Sequence, residues 1–417
     1  MDRLMIVGKT RLSGTARVNG SKNASLAIMA ACLLCPGQSV LKDVPCLQDI
    51  ATMSDVLSSL GAGVFREGSG IVVDAQDICS VEVEEALMRR MRASNLVLGP
   101  LLGRFREAKI SQPGGCNIGA RPMDLHLKGL RALGAEIKEE YGYISARAKK
   151  LSGAEIQLDF PSVGATENIM MAAVLAEGVT VIRGAAKEPE IVDLQNFLNC
   201  LGARVSGAGT DIIRIEGVAS LHPAVHQVIP DRIEAGTYII AAAITGGDVT
   251  VTNVIPEHLR ALTAKLAEAG VEMEAGDDYI RVRGTQGVKA VDVKTMPYPG
   301  FPTDLQPQMT AFLALAEGTS VITETIFENR FRHVGELARM GAQVKVEGQT
   351  LVIKGRKKLH GAPVEAGDLR AGAALLLAAM AAENGTLLGG VEHIDRGYER
   401  IEQKYNALGA RITRVRD

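Results

Sequence analysis

The chain has 417 residues, of which 47% are hydrophobic and 23% charged, so it reads as a globular protein of about two domains rather than a disordered one. It has no Trp, only 4% aromatics and 45 Gly, which calls for an aliphatic core with many tight turns. A net charge of −2 excludes a nucleic-acid binder held by a global basic field, so any anionic ligand must be met by local clusters. The apolar runs at 24–36 and 371–382 are too short to span a membrane, and Met1-Asp2-Arg3-Leu4 does not open a signal peptide. A cytoplasmic location is expected. Six scattered cysteines fit a reducing compartment.

One unit recurs along the chain. A helix ending in Leu-x-x-x-Gly and followed by a strand is predicted around Gly61, Gly134, Gly202, Gly270, Gly341 and Gly409, with Tyr405 replacing Leu in the last copy. Glycine there suits the left-handed residue that closes a helix. A second signature, an Ala-rich helix running through Gly into a β-rich run, begins at Gly37, Gly178, Gly247, Gly318 and Gly385, with Glu107 in the degenerate second copy. Each unit therefore reads helix, strand, helix, strand, hairpin strand. The last unit lacks its hairpin partner, and Met5–Gly8 resembles the missing strand, so the N-terminus is expected to complete the C-terminal unit. An open solenoid would need polar caps at both ends, and closure of the units is favoured. The expected domains are 22–229 and 1–21 plus 230–417.

Fifteen residues before the second signature lie Lys22, Arg92, Val163, Arg232, Thr303 and Arg370. These are predicted helix starts, and nearby Ser21, Ser162, Asp231, Asp304 and Asp368 are candidate caps. Lys22, Arg92 and Arg370 oppose a helix dipole, a conflict that a bound anion would resolve. If the units pack side by side, three such starts converge in each domain.

Before the second helix of the second unit lies Ser111-Gln-Pro-Gly-Gly-Cys116-Asn-Ile-Gly-Ala-Arg121-Pro122-Met123-Asp124, a glycine-rich loop in which Pro122 fits the first turn of that helix. A thiol beside Arg121 and a helix start is placed for a low pKa. Cys32, Cys46, Cys79 and Cys200 read instead as small buried hydrophobes, and the Cys32–Cys35 pair as core rather than zinc. The seven His show no zinc-protease spacing, and no dinucleotide or P-loop glycine pattern occurs.

With its blocks Asn19–Ala24, Met91–Ser94, Pro113–Pro122, Ser162–Thr166, Pro230–Glu234, Gly300–Asp304, Phe327–Phe331, Asp368–Arg370 and His393–Arg400, the chain resembles the enolpyruvyl transferase family from end to end. It is most similar to members that act on UDP-N-acetylglucosamine. The resemblance implies an α/β fold of two inside-out domains, each of three repeated helix-strand units, with the active site in the interdomain cleft. It implies transfer of the enolpyruvyl group of phosphoenolpyruvate to the sugar 3-hydroxyl, with no cofactor and no metal. Lys22, Asn23, Arg121, Arg370 and Arg396 would hold phosphoenolpyruvate. Arg92, Arg121, Pro122, Met123, Asp124, Leu125, Ser162, Val163, Gly164, Asp304 and Ile326 would bind the UDP-sugar. Cys116 would be the acid and Asp304 the base, with Lys22 and Arg396 also catalytic. Phe160 departs from the pattern, since some members carry a basic residue there. Two other readings stay open at this stage. The shikimate-pathway synthases share the fold but typically show a Gly-Asn-Ala-Gly-Thr block that is absent here, and a catalytically silent binding protein could use the same fold.

Overall fold

The computed structural model describes residues 2–114, 118–119, 122–285 and 287–416. It divides into two compact units. One holds the chain from Gly20 to Ile229 apart from Ile118 and Gly119; the other holds those two residues and the chain before Gly20 and after Ile229.

The repeat is realised six times. All six helix-ending glycines, from Gly61 to Gly409, have φ between 92° and 103°, where a Cβ would be strained. In the degenerate second copy Arg106 takes φ 61° in place of a glycine before strand Glu107–Ser111. The central helix of each repeat is apolar all round and buried accordingly. Every residue of Lys22–Ala31 except Asn23 is buried, as are Arg370–Met380 within Leu369–Ala381. Strands lie outside these helices. Each repeat contributes one antiparallel three-strand set, such as Gln38–Lys42, Gly70–Asp74 and Gly63–Glu67.

Closure comes from parallel edge strands passed between repeats. Val225–Gln227, which follows the third hairpin, pairs with Gln38–Lys42 of the first repeat. Glu155–Gln157, after the second hairpin, pairs with Val179–Arg183 of the third, and a bridge from Glu82 to Lys109 links the first to the second. The same cycle runs through the other unit by way of Val293–Lys294, Pro363–Glu365 and Ser13–Arg17. Each set of three repeats therefore forms a ring rather than a solenoid. As expected, the N-terminal strand Asp2–Ile6 completes the last repeat, pairing with Ile412–Arg416 and Thr386–Gly389.

Helices inside a ring approach closely where the sequence supplies a small residue. A Cβ on Gly99 would lie 2.3 Å from the Asn168 carbonyl oxygen, and the Gly99 N–H donates to Asn168 Oδ1 at 2.6 Å. This contact joins the helix starts of the second and third repeats. No helix among the described residues is long and apolar enough to cross a membrane.

Candidate functional site

Five of the six predicted helix starts fall where the count placed them and the last opens one residue before Arg370: helices or 3-10 turns open at Lys22, Arg92, Val163, Arg232, Thr303 and Leu369. Four have side-chain caps. Ser21 accepts from Ala24 N, Ser162 from Ala165 N, Asp231 from Ile233 and Glu234 N, and Asp368 from Arg370 and Ala371 N. Asp304 is not a cap, contrary to expectation. It sits inside the 3-10 turn Thr303–Leu305, whose start has no side-chain cap, and its carboxylate turns to two arginines instead.

In the unit carrying Gly20–Ile229, Lys22 is buried and its Nζ lies 3.1 Å from Asp49 Oδ2, itself buried. Asn23 beside it is exposed. The Arg92 guanidinium donates to the Pro122 carbonyl at 3.4 Å, and Met123 Sδ accepts from Asn95 Nδ2 at 2.9 Å. Pro122 precedes the N-cap Met123 of helix Asp124–Ala132, so it lies just outside the first turn rather than within it. His126 on that helix reaches Asn168 with Nδ1 at 3.0 Å and lies against Gly164, where an added Cβ would meet its Cε1 at 3.0 Å. The starts at 92, 124 and 163 are thereby brought together, with Leu125, Ser162 and Val163 partly exposed beside them. Cys116 and Arg121 lie outside the described residues.

The other unit gathers Asp304, Ile326 and Arg370. Asp304 Oδ1 accepts from Arg330 Nη2 at 2.7 Å, and its Oδ2 accepts from Arg370 Nη2 at 2.9 Å. Arg370 also donates from Nη1 to the Tyr398 hydroxyl at 3.3 Å. Burial alone would lower the Arg370 pKa, but Asp304, Tyr398 and Asp231 outweigh it and raise the value above the ordinary arginine range. Asp231 opens the first repeat of this ring, Asp304 the second and Arg370 the third, so three helix starts converge on one charge cluster. Ile326 is fixed through Glu324, whose fully buried carboxylate accepts from the Thr295 and Thr303 hydroxyls and from the Ile326 and Phe327 N–H groups. Asn329 N–H donates to Ile118 O at 2.9 Å, so the same segment touches a residue two positions beyond Cys116. Arg396, at the end of helix Val391–Asp395, is half-buried.

Sequence reasoning singled out neither Asp49, Glu324 nor His126, and it quoted Arg330 and Tyr398 within blocks without giving them work. Each of the five has at least one partner distant in sequence, which no local spacing signals. The cysteines need one correction. Cys32 and Cys35 are buried, and burial raises both thiol pKa values, but Cys46, Cys79 and Cys200 are exposed. Cys46 and Cys79 lie in loop segments and Cys200 ends helix Pro189–Cys200, places where a small side chain need not be covered. A cavity of about 220 Å³ beside Arg232, His258, Arg260 and Tyr298 contains none of the candidate residues. No cluster of three or more His, Cys, Asp or Glu among the described residues is arranged to hold a metal.

The family model described as EPSP synthase (3-phosphoshikimate 1-carboxyvinyltransferase) matches residues 6–405. UDP-N-acetylglucosamine 1-carboxyvinyltransferase 1 of Carboxydothermus hydrogenoformans is 56% identical over 415 residues, covering 100% of this chain and 99% of the relative. The UDP-N-acetylglucosamine 1-carboxyvinyltransferase of Geobacter metallireducens is 54% identical, with both chains covered in full. Among solved structures, the enolpyruvyl transferase NikO from Streptomyces tendae superimposes with a TM-score of 0.89 at 27% identity, covering 99% of each chain. EPSP synthase from Acinetobacter baumannii gives 0.79 at 19% identity over the whole of both chains, a likeness of fold alone.

Proposed function

The chain belongs to the enolpyruvyl transferase family, and from that premise we infer that it moves the enolpyruvyl group of phosphoenolpyruvate to the 3-hydroxyl of UDP-N-acetylglucosamine. The observation that carries this reading is identity of 54–56% across the full chain with relatives named for that transfer. The EPSP model names another acceptor, but the EPSP synthase structures share only 19% of the sequence. The reaction opens the committed route to peptidoglycan. Its substrates are cytoplasmic metabolites, and the protein acts in that compartment.

The residues support a step-by-step assignment. Lys22, Asn23, Arg121, Arg370 and Arg396 neutralise the phosphate and carboxylate of phosphoenolpyruvate, for which forked guanidiniums are well shaped. Cys116 gives its proton to C3 of the enol, leaving positive charge at C2. The sugar 3-hydroxyl oxygen bonds to C2 while its proton passes to Asp304. The ketal then loses inorganic phosphate from C2 and a proton from C3, which restores the double bond in the product. Arg92, Arg121–Leu125, Ser162–Gly164, Asp304 and Ile326 hold the UDP-sugar. The burial of Lys22 against Asp49 supports its role, because a fixed ammonium loses less freedom on meeting an anion.

Phosphate release tests the assignment. UDP-N-acetylglucosamine with phosphoenolpyruvate is expected to yield stoichiometric phosphate, and shikimate 3-phosphate none. Release with shikimate 3-phosphate alone would reverse the choice of acceptor, and release with neither would leave a binding protein.

A further inference from the structure

We propose that Asp304 and Arg370 mask one another, and that an anionic group of phosphoenolpyruvate unmasks the base by taking Arg370 from it, while Arg330 keeps the freed carboxylate in place. The proposal rests on the reading of Asp304 as base and Arg370 as an anion-binding group. It adds an order to their action and a positioning role for Arg330.

Both carboxylate oxygens are engaged, Oδ1 by Arg330 at 2.7 Å and Oδ2 by Arg370 at 2.9 Å. An oxygen that accepts a charge-assisted hydrogen bond has less to offer an incoming hydroxyl proton. A base clamped in this way is stable but badly placed to react. The same pair takes up the Arg370 Nη2 that an oxyanion would need. One contact therefore blocks two functions.

The two guanidiniums differ from the carboxylate in how they are held. The Arg330 side chain is 2% exposed and that of Arg370 is 7%, against 28% for Asp304. Arg330 Nε also donates to the Thr303 carbonyl at 3.3 Å, and its guanidinium lies 6.0 Å from the Phe327 ring centroid. Arg370 is tied on its other nitrogen to the Tyr398 hydroxyl, which meets the Thr237 hydroxyl at 2.9 Å and Gln308 Nε2 at 3.3 Å. Its backbone is capped by Asp368. The arginines are fixed from behind, and the carboxylate is the most exposed of the three groups.

Substrate chemistry supplies the exchange. Phosphoenolpyruvate brings a phosphate and a carboxylate, more charge than the single carboxylate of Asp304 presents. When one of those groups takes Arg370 Nη2, Oδ2 is released toward the acceptor hydroxyl, and Oδ1 stays on Arg330. The proton balance is simple: the sugar hydroxyl gives its proton to Oδ2 as its oxygen bonds to C2, and Asp304 later returns that proton to solvent.

Binding of phospholactate, a saturated analogue that cannot be protonated at C3, separates these roles when measured with UDP-N-acetylglucosamine present. Asp304→Ala is expected to bind phospholactate about tenfold more tightly than the unaltered protein, a shift of about 1.4 kcal/mol, while losing turnover at least ~10²-fold. Unchanged or weaker binding with lost turnover would overturn the masking and leave Asp304 as base. Retained turnover would overturn the base assignment itself. Arg330→Met should shift binding the other way, because Asp304 then leans more heavily on Arg370, and Arg330→Lys should restore much of the difference. In the double variant Arg330→Met/Asp304→Ala, affinity should return to that of Asp304→Ala. If it stays weak, Arg330 acts by supporting the fold and its positioning role is refuted.

Discussion

Glu324 offers the sharpest test of how the Asp304 corner is built. Its carboxylate, fully buried, accepts from Thr295 Oγ1 at 2.8 Å, Thr303 Oγ1 at 3.0 Å, Ile326 N at 2.9 Å and Phe327 N at 3.2 Å. Glu324→Ala removes all four acceptor contacts and opens a cavity. The Thr hydroxyls can rotate, but the Ile326 and Phe327 N–H groups cannot, and each buried donor left unmet costs about 1–3 kcal/mol. A loss of about 2–6 kcal/mol follows for the region that carries Ile326 and Arg330. Glu324→Gln keeps a carbonyl oxygen for the three donors on Oε1 and lets the Thr303 hydroxyl turn to accept, so only charge assistance is lost, about 1–2 kcal/mol. Urea denaturation of both variants, with limited proteolysis to find the first cleavage, measures the difference. The Ala variant should nick first within residues 324–331, and its turnover should fall with Arg330 displaced from Asp304. An Ala variant within about 0.5 kcal/mol of the unaltered protein, the range of an ordinary surface change, would refute the view that this carboxylate holds the segment.

His333 is fully buried, and burial pushes its pKa down to about 4, with Asp368 opposing and Arg330 adding to the shift. The unfolded chain takes up this proton near the ordinary value of 6.5, so the contribution is present above pH 6.5 and is lost as pH falls toward 4. His333→Met should remove about 3 kcal/mol of that acid sensitivity, read from urea midpoints at pH 7 and pH 4.5; equal slopes would refute it. Glu167 is shifted the opposite way: burial, then Glu190 and Glu188, hold its pKa well above the usual carboxylate range. The stability it contributes is present below about pH 4.5 and is lost as pH rises, so Glu167→Gln should be more stable than the unaltered protein at pH 8, with the gap closing in acid. A gap independent of pH would refute this. A phosphoenolpyruvate-shaped epoxide such as fosfomycin should alkylate Cys116 and abolish turnover, while iodoacetamide should also reach the exposed Cys46, Cys79 and Cys200. Peptide mass mapping separates the two patterns, and fosfomycin spread over several cysteines would remove Cys116 from its proposed role.

Much of the fold was legible because it rests on local rules repeated six times. The helix-ending glycines needed left-handed backbone and have it, and a fixed count from the second signature found each central helix start to within one residue, Lys22 through Leu369. The missing hairpin strand of the last repeat could be recognised at the N-terminus in Met5–Gly8, and strand Asp2–Ile6 pairs there with Ile412–Arg416. These features depend on a residue and its near neighbours, and periodicity amplifies them. Side-chain partnerships do not work that way. That Asp304 would leave the capping position for Arg330 and Arg370, 26 and 66 residues away, depends on how repeats pack around the ring. The same holds for Asp49 under Lys22, for Glu324 drawing Thr295, Thr303 and Ile326 together, and for Tyr398 joining Thr237 and Gln308 to Arg370. Exposure of Cys46, Cys79 and Cys200 was misread for a related reason, since burial is set by what covers a residue and not by its type. The sequence alone carried the repeat, the helix starts and the chemistry-bearing residue types. Tertiary structure decided which charges meet, because ring closure brings together groups whose separation along the chain hides their contact.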